Sequence, residues 1–299
     1  MITLGKKIFF FLIPVFLFIG NSGHSQQFPT VQLPTTIVRE IKSNIVKDMV
    51  YDLYIDLPPN YNSSDQKYPV VYLLDAYETF GLMLQTYQQL LVMNEVLGLI
   101  IVGISYQIEG EFYSKGLRKY YDIRARDFTP THLTYEETVK QHGQETADWI
   151  RDSGGATEFL EFFEKELIPF IDSEYRTNTH QRGLFGYSLG ATFTTFALLN
   201  KPGLFKKYFI GSPMLSWDNY SVYNFDNTEY LFGSLDTIEV YISWGQFESK
   251  EGRHHPLKDT LEQRSNPHIL FISEVLEGET HLSGIGFAYS RAFRRLYGK

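Results

Sequence analysis

The pentapeptide Gly186-Tyr187-Ser188-Leu189-Gly190 constrains the fold of this chain more than any other feature. It lies between a short entry strand, 181–185, and a largely apolar helical pattern over 191–199. A serine on a tight strand-to-helix turn has a strained backbone that exposes its Oγ above the sheet, and the flanking glycines allow close packing. The segment therefore predicts a strand, a sharp turn and a helix, with Ser188 as a candidate nucleophile. The alternative is a glycine-rich turn whose serine only caps the helix.

Strand and helix patterns alternate along most of the chain. Residues 36–46 and 48–57 alternate apolar and polar side chains, as in an antiparallel hairpin with one solvated face. Residues 68–74 and 97–105 are nearly continuous apolar runs, which are typical of parallel strands buried on both faces. Further strands are predicted at 207–212, 238–244 and 268–273, and helices at 157–171 and 284–297. The pattern predicts an α/β protein with a mostly parallel central sheet, helices on both faces and an antiparallel N-terminal edge.

The amino-terminal segment has the pattern of a secretory signal. Lys6 and Lys7 precede the apolar run 8–19, and small polar residues follow as far as Ser25. The apolar run is too short to span a bilayer. We expect cleavage after Ser25, with Ser22 as the alternative, so that 1–25 is a signal peptide and 26–299 a single catalytic domain. The mature protein is then secreted or periplasmic, without stable membrane insertion.

Composition narrows the classes of partner. The chain has no cysteine, so its stability must come from the core and not from disulfides. Its net charge is −8, and no basic run is long enough to follow a nucleic-acid backbone, so we expect no nucleic-acid partner. His254 and His255 lack the ligand spacing of known zinc sites, and we expect neither a metal nor a cofactor. Composition gives no information about the oligomeric state.

A serine nucleophile needs a histidine that accepts its proton and an acid that holds the histidine. Both partners are expected on loops after later strands. His281 lies between the last predicted strand and the last helix, so it is the predicted base, with His254 and His255 as rivals. Glu248 lies nearest the end of the strand 238–244 and is the predicted acid.

Three alternatives stay open around this assignment. Glu251 and Asp259 are rival acids, and a Ser–His dyad would suffice if Glu248 were a solvated loop carboxylate.

The oxyanion hole is predicted to combine the backbone N–H of Leu189 with one from the loop 75–77.

Residues 107–155 interrupt the alternation with mixed charge and many tyrosines, which predicts a partly helical lid over the site. Within it, Arg124 and Arg126 are candidates for binding a carboxylate or catecholate of the substrate through paired N–H donors. Ion pairs with neighbours such as Asp122 and Asp127 fit the pattern equally well.

Several motifs in the same order resemble the Putative esterase family of α/β-hydrolases. They are Tyr68-Pro69-Val70-Val71-Tyr72-Leu73-Leu74-Asp75, Gly186-Tyr187-Ser188-Leu189-Gly190, Gly211-Ser212-Pro213, Gly245-Gln246-Phe247-Glu248 and Glu279-Thr280-His281. That family includes siderophore esterases, S-formylglutathione hydrolases, feruloyl esterases and mycolyltransferases. The segment Arg124-Ala125-Arg126-Asp127-Phe128-Thr129-Pro130 is similar to one in its siderophore-esterase-like branch. The resemblance covers residues 41–297.

The resemblance implies an α/β-hydrolase fold with Ser188 as nucleophile, His281 as base and Glu248 as acid. The amides of Tyr77 and Leu189 would form the oxyanion hole. One departure is Ala76, where the family often has a glycine after the aspartate. The implied function is an exported serine hydrolase that cleaves small-molecule carboxylic esters through an acyl-enzyme, such as a siderophore, aromatic or carbohydrate ester. Acyl transfer by the same residues, or ligand binding without catalysis, are the alternatives.

Overall fold

An eight-stranded sheet runs through the molecule. The computed structural model describes residues 33, 35–108, 115–225, 237–248, 257, 259, 261 and 267–299, so the predicted signal peptide lies outside the described residues. The strands are β1 Thr36–Lys42, β2 Val50–Asp56, β3 Tyr68–Leu73, β4 Ile100–Tyr106, β5 Thr177–Tyr187, β6 Lys207–Gly211, β7 Ile238–Gly245 and β8 Ile269–Leu276. Their order across the sheet is β1-β2-β4-β3-β5-β6-β7-β8.

The sheet is parallel except at its amino-terminal edge. Strand β2 is antiparallel to both β1 and β4, whereas every later pair is parallel. All residues of β3 and β4 are buried, which is why their sequences are continuously apolar and do not alternate. The predicted α/β class, the mostly parallel sheet and the antiparallel N-terminal edge are confirmed.

Helices cover both faces of the sheet. They are α1 Ala76–Val92, α2 Lys115–Phe128, α3 Tyr135–His142, α4 Gln144–Trp149, α5 Ala156–Phe162, α6 Ile168–Glu174, α7 Leu189–Asn200 and α8 Ile285–Tyr297. On one face, Phe293 of α8 packs against Phe185 of β5. On the other, Phe163 contacts Tyr72 of β3 and Phe193 of α7. Among the described residues, no helix is both long and apolar enough to cross a bilayer.

The helix predicted over 157–171 is interrupted. A π-helical turn, Phe163–Leu167, separates α5 from α6, and Pro169 lies in the first turn of α6. Proline has no N–H to donate into the preceding turn, so a break just before it is expected.

Residues 115–155 hold α2, α3 and α4, and the sequence predicts a partly helical excursion here. Thr134 and Glu137 form a reciprocal capping box at the start of α3. Ala125 and Phe128 of α2 are buried in the main core. Helix α2 is thus packed into the domain.

Helix α1 has no counterpart in the sequence-based prediction. It packs on β4 at Gly103, where an added Cβ would lie 2.6 Å from Cδ2 of Phe80 and 2.8 Å from Cβ of Ala76. The absence of a side chain at Gly103 lets α1 approach the sheet closely.

We predict that Gly103→Ala lowers the free energy of unfolding by about 1–3 kcal/mol, because the new methyl group overpacks the interface between α1 and β4. Gly81→Ala is the matched control, since a Cβ there would meet no atom within 4 Å. In the helix interior that change should be neutral or stabilising by up to about 1 kcal/mol. Urea unfolding followed by circular dichroism measures both, and equal stabilities would contradict the close approach.

Candidate active site

Ser188 occupies a sharp turn between β5 and α7. Its φ is 55° and its ψ is −123°, a conformation that non-glycine residues rarely adopt. Its N–H donates to the carbonyl of Gly211 at 2.8 Å, which fixes the turn against β6. The strand, turn and helix expected around Ser188 are present.

Close contacts surround the two glycines of the pentapeptide. A Cβ on Gly186 would lie 2.3 Å from the carbonyl oxygen of Gly190 and 2.5 Å from Oγ1 of Thr194. A Cβ on Gly190 would lie 3.0 Å from Oδ2 of Asp75. Any side chain at Gly186 would therefore push α7 away from the end of β5.

His281 connects the serine to a carboxylate. It lies in the loop between β8 and α8, with Nε2 3.0 Å from Oγ of Ser188 and Nδ1 3.2 Å from Oε2 of Glu248. The hydroxyl of Tyr187 donates to the backbone carbonyl of His281 at 2.7 Å and helps to hold this loop. The imidazole therefore bridges the hydroxyl and the carboxylate.

Glu248 follows the end of β7 and is largely buried, with 9% of its side chain exposed against 41% for His281. Its Oε1 accepts hydrogen bonds from Oγ of Ser212 at 2.7 Å and from the N–H of Gly245 at 2.6 Å. Burial alone would raise the pKa of Glu248, but the hydrogen bonds from His281, Ser212 and Gly245 outweigh it and lower that pKa. The carboxylate is therefore held in its ionised form.

Ser212 and Tyr187 are parts of the site that the sequence analysis did not assign. Oγ of Ser212 lies 2.7 Å from Glu248 and 2.9 Å from the hydroxyl of Tyr187. Burial raises the pKa of Tyr187 to about 12, so its hydroxyl stays a neutral donor. The available signal was position, because Ser212 is the last residue of the predicted strand 207–212 and Tyr187 precedes the candidate nucleophile.

The two amides predicted for the oxyanion hole lie near the starts of two helices. Leu189 is the first residue of α7, and Tyr77 is the second residue of α1. Both helices follow neighbouring parallel strands, in which Leu73 of β3 pairs with Phe185 of β5, so their amino termini meet at one edge of the sheet. First-turn amides and the helix dipole favour negative charge there.

The turn between β3 and α1 explains how this chain accommodates alanine where the family often has glycine. The left-handed conformation falls on Asp75, with a φ of 57°, and Ala76 is already the first residue of α1. Aspartate tolerates this region better than most residues, so the turn forms without glycine.

Both candidate arginines of α2 are paired with buried carboxylates. Arg126 binds Asp127, its neighbour in the sequence, at 2.6 Å. Burial raises the pKa of Asp127 to about 6, although Arg126 and Tyr51 act in the opposite direction. Arg124 binds Asp75, a partner that the sequence analysis did not consider.

The sequence analysis also named rival residues for the acid and the base. Glu251, His254 and His255 lie outside the described residues, and Asp259 is exposed. Within the described ranges, no group of three or more His, Cys, Asp or Glu side chains is arranged to hold a metal ion.

Comparison with known proteins identifies relatives over most of the chain. A family model described as Putative esterase matches residues 47–153 and 134–270. The ferri-bacillibactin esterase BesA of Bacillus subtilis is 30% identical over 291 residues, covering 92% of each chain. A siderophore enterobactin esterase of Emericella nidulans is 28% identical over 173 residues, covering 56% of this chain and 54% of that protein.

A solved structure shows the same fold. The crystal structure of the BES protein from Bacillus cereus superposes with a TM-score of 0.77 at 26% identity, and the match covers 91% of this chain and 99% of that chain. The fold class is thus the α/β-hydrolase fold. The chain belongs to the Putative esterase family, on its siderophore-esterase-like branch, and by that membership is an ester hydrolase.

Proposed function

We propose that this protein is an exported serine esterase that cleaves carboxylic esters through an acyl-enzyme intermediate. The observation that carries the proposal is the hydrogen-bonded chain from Ser188 through His281 to Glu248, with distances of 3.0 Å and 3.2 Å. This arrangement is what activation of a serine hydroxyl requires.

In the proposed reaction, Oγ of Ser188 attacks the ester carbonyl while Nε2 of His281 takes the hydroxyl proton. Glu248 accepts a hydrogen bond from Nδ1–H and stabilises the imidazolium that forms. The amides of Leu189 and Tyr77 bind the oxyanion. His281 then gives its proton to the leaving alcohol, and a water molecule attacks the acyl-enzyme by the same steps to release the acid and regenerate Ser188.

We infer that the natural substrate is a siderophore ester. Support comes from two curated relatives, which are named as esterases of ferri-bacillibactin and of enterobactin. A cavity of about 400 Å³ opens beside α2, and its lining includes Arg124, Tyr121 and Trp149. Aromatic walls suit an aromatic group, and the lining also includes the acid Glu145. Arg124 and Arg126 stay candidate substrate-binding residues. Each guanidinium has five N–H donors, and its ion pair is made through Nε and Nη2, so Nη1 can donate to a substrate.

The proposal includes export and a single catalytic domain. Residues 1–25 would be removed as a signal peptide, and residues 26–299 would act in the periplasm or outside the cell. The excursion 107–155 would form the lid-like wall of the site.

We predict that Ser188→Ala lowers kcat for p-nitrophenyl butyrate and for ferri-bacillibactin by at least about 10⁴-fold, because no other group supplies the nucleophile. Labelling by a fluorophosphonate probe should disappear with it. Ser173→Ala, in an exposed position on α6, is the control and should keep both turnover and labelling. A wild-type protein that neither turns over nor takes up the label would refute the esterase proposal.

Glu248→Gln tests the role of the acid. Glutamine can still accept from Ser212 and Gly245, but its amide N–H₂ would face Nδ1 of His281 and favour the wrong tautomer. We expect kcat to fall by about 10³- to 10⁴-fold with little change in KM. Steady-state kinetics on p-nitrophenyl butyrate measure this, and an unchanged kcat would favour a Ser–His dyad.

Glu248 should also make stability depend on pH. Its pKa in the folded protein is below the ordinary value of 4.5, so its ionised form stabilises the fold above pH 4.5 and this contribution is lost as the pH falls through the lower folded pKa. The difference in unfolding free energy between wild type and Glu248→Gln should therefore shrink as the pH is lowered from neutral to below 4.5. Urea titrations across this range measure it, and a constant difference would argue against the pKa shift.

A further inference from the structure

A buried ion pair joins α2 to the turn that begins α1. Nε and Nη2 of Arg124 donate to the two carboxylate oxygens of Asp75 at 2.6 Å and 2.9 Å. The side chains are 11% and 4% exposed. The hydroxyl of Tyr120 donates to the same carboxylate at 2.8 Å. Paired, charge-assisted hydrogen bonds of this kind fix the orientation of a carboxylate as well as its charge.

The pair fixes the side chain of the residue at the N-cap position of α1. Asp75 directly precedes α1, and an aspartate in that position usually accepts a hydrogen bond from the second or third amide of the helix. Here the Asp75 side chain makes no capping hydrogen bond. The second amide belongs to Tyr77, one of the two proposed oxyanion donors. Arg124 and Tyr120 thus hold the carboxylate in another direction.

The carboxylate also lies against the start of α7. A Cβ built on Gly190 would be 3.0 Å from Oδ2 of Asp75, so the charge sits beside the turn that carries Ser188. Glu78 adds a second acid within the same cluster, and burial together with the charge of Asp75 raises the pKa of Glu78. Without a cation, this negative charge would oppose the oxyanion that develops during attack on an ester.

We propose that Arg124 is a positioning residue for ester hydrolysis, which holds the Asp75 carboxylate off the first turn of α1 and neutralises it beside the oxyanion hole. This inference rests on the proposed chemistry of Ser188. Arg124 is well placed for the role because its neighbours on α2, Ala125 and Phe128, are buried in the core. The role differs from substrate binding, since it acts on every ester, including one without charge.

The test uses p-nitrophenyl acetate, a small neutral ester, with active sites counted by fluorophosphonate labelling. Arg124→Gln should lower kcat per labelled site by about tenfold to a hundredfold, less than outright loss of an oxyanion donor, with KM changed less than about threefold. Arg124→Lys keeps the charge but not the paired geometry, so its kcat should lie between those of the wild type and Arg124→Gln. Adding Asp75→Asn to Arg124→Gln should restore kcat by about tenfold, because the uncompensated charge is then gone and asparagine tolerates the left-handed turn.

Arg182→Gln is the matched control. Arg182 is 14% exposed and pairs with Asp172, an acid of α6 and not of the β3–α1 turn, so its removal should leave kcat unchanged. An unchanged kcat in Arg124→Gln, an effect on KM alone, or no recovery in the double variant would overturn the inference. If Arg124→Gln does not fold, Arg124→Lys and the double variant decide by the same criteria. Failure of the wild type to turn over or take up the label would instead refute the proposed function.

Discussion

The turn that carries Ser188 has a strained backbone and joins β5 to α7. A positive φ at a non-glycine residue is unfavourable by itself and persists only where surrounding contacts hold it. Here the hydrogen bond to the Gly211 carbonyl and the close approach of Gly186 to Gly190 supply those contacts. This turn directs Oγ of Ser188 away from the edge of the sheet. It also begins α7, whose residues from Leu189 to Leu199 are all buried.

The parallel order of the last four strands then assembles the site. The strands β5, β6, β7 and β8 are neighbours both in the sequence and in the sheet. The loops after them carry, in the same order, Ser188, Ser212, Glu248 and His281. Because the carboxyl ends of parallel strands share one edge, four loops deliver one polar side chain each to the same place. Neighbouring hydrogen bonds then set the charge of the acid, since those from His281, Ser212 and Gly245 keep the largely buried Glu248 ionised.

The opposite side of the site is organised by helix starts. The turn at Asp75 begins α1 beside the start of α7, so two sets of first-turn amides meet at one point. The buried Asp75 carboxylate lies beside these helix starts, and Arg124 on α2 balances its charge. The sequence suggested α2 as part of a lid. In the structure this helix contributes side chains to the hydrophobic core and also pairs with Asp75 at the start of α1.

Short stretches of sequence were enough to predict several strands and the turn at Ser188. Continuous apolar runs marked β3 and β4, alternation marked β1 and β2, and the spacing of glycines around Ser188 marked the turn, because burial and backbone strain restrict residue type directly. Chain order after the turn was enough to nominate His281 and Glu248. Helix α1 was missed, and the partners Ser212, Tyr187 and Asp75 were not assigned. Arg124 and Asp75 are 49 residues apart in the sequence, so no local pattern indicates their pairing, which forms only when folding brings α2 against the turn between β3 and α1.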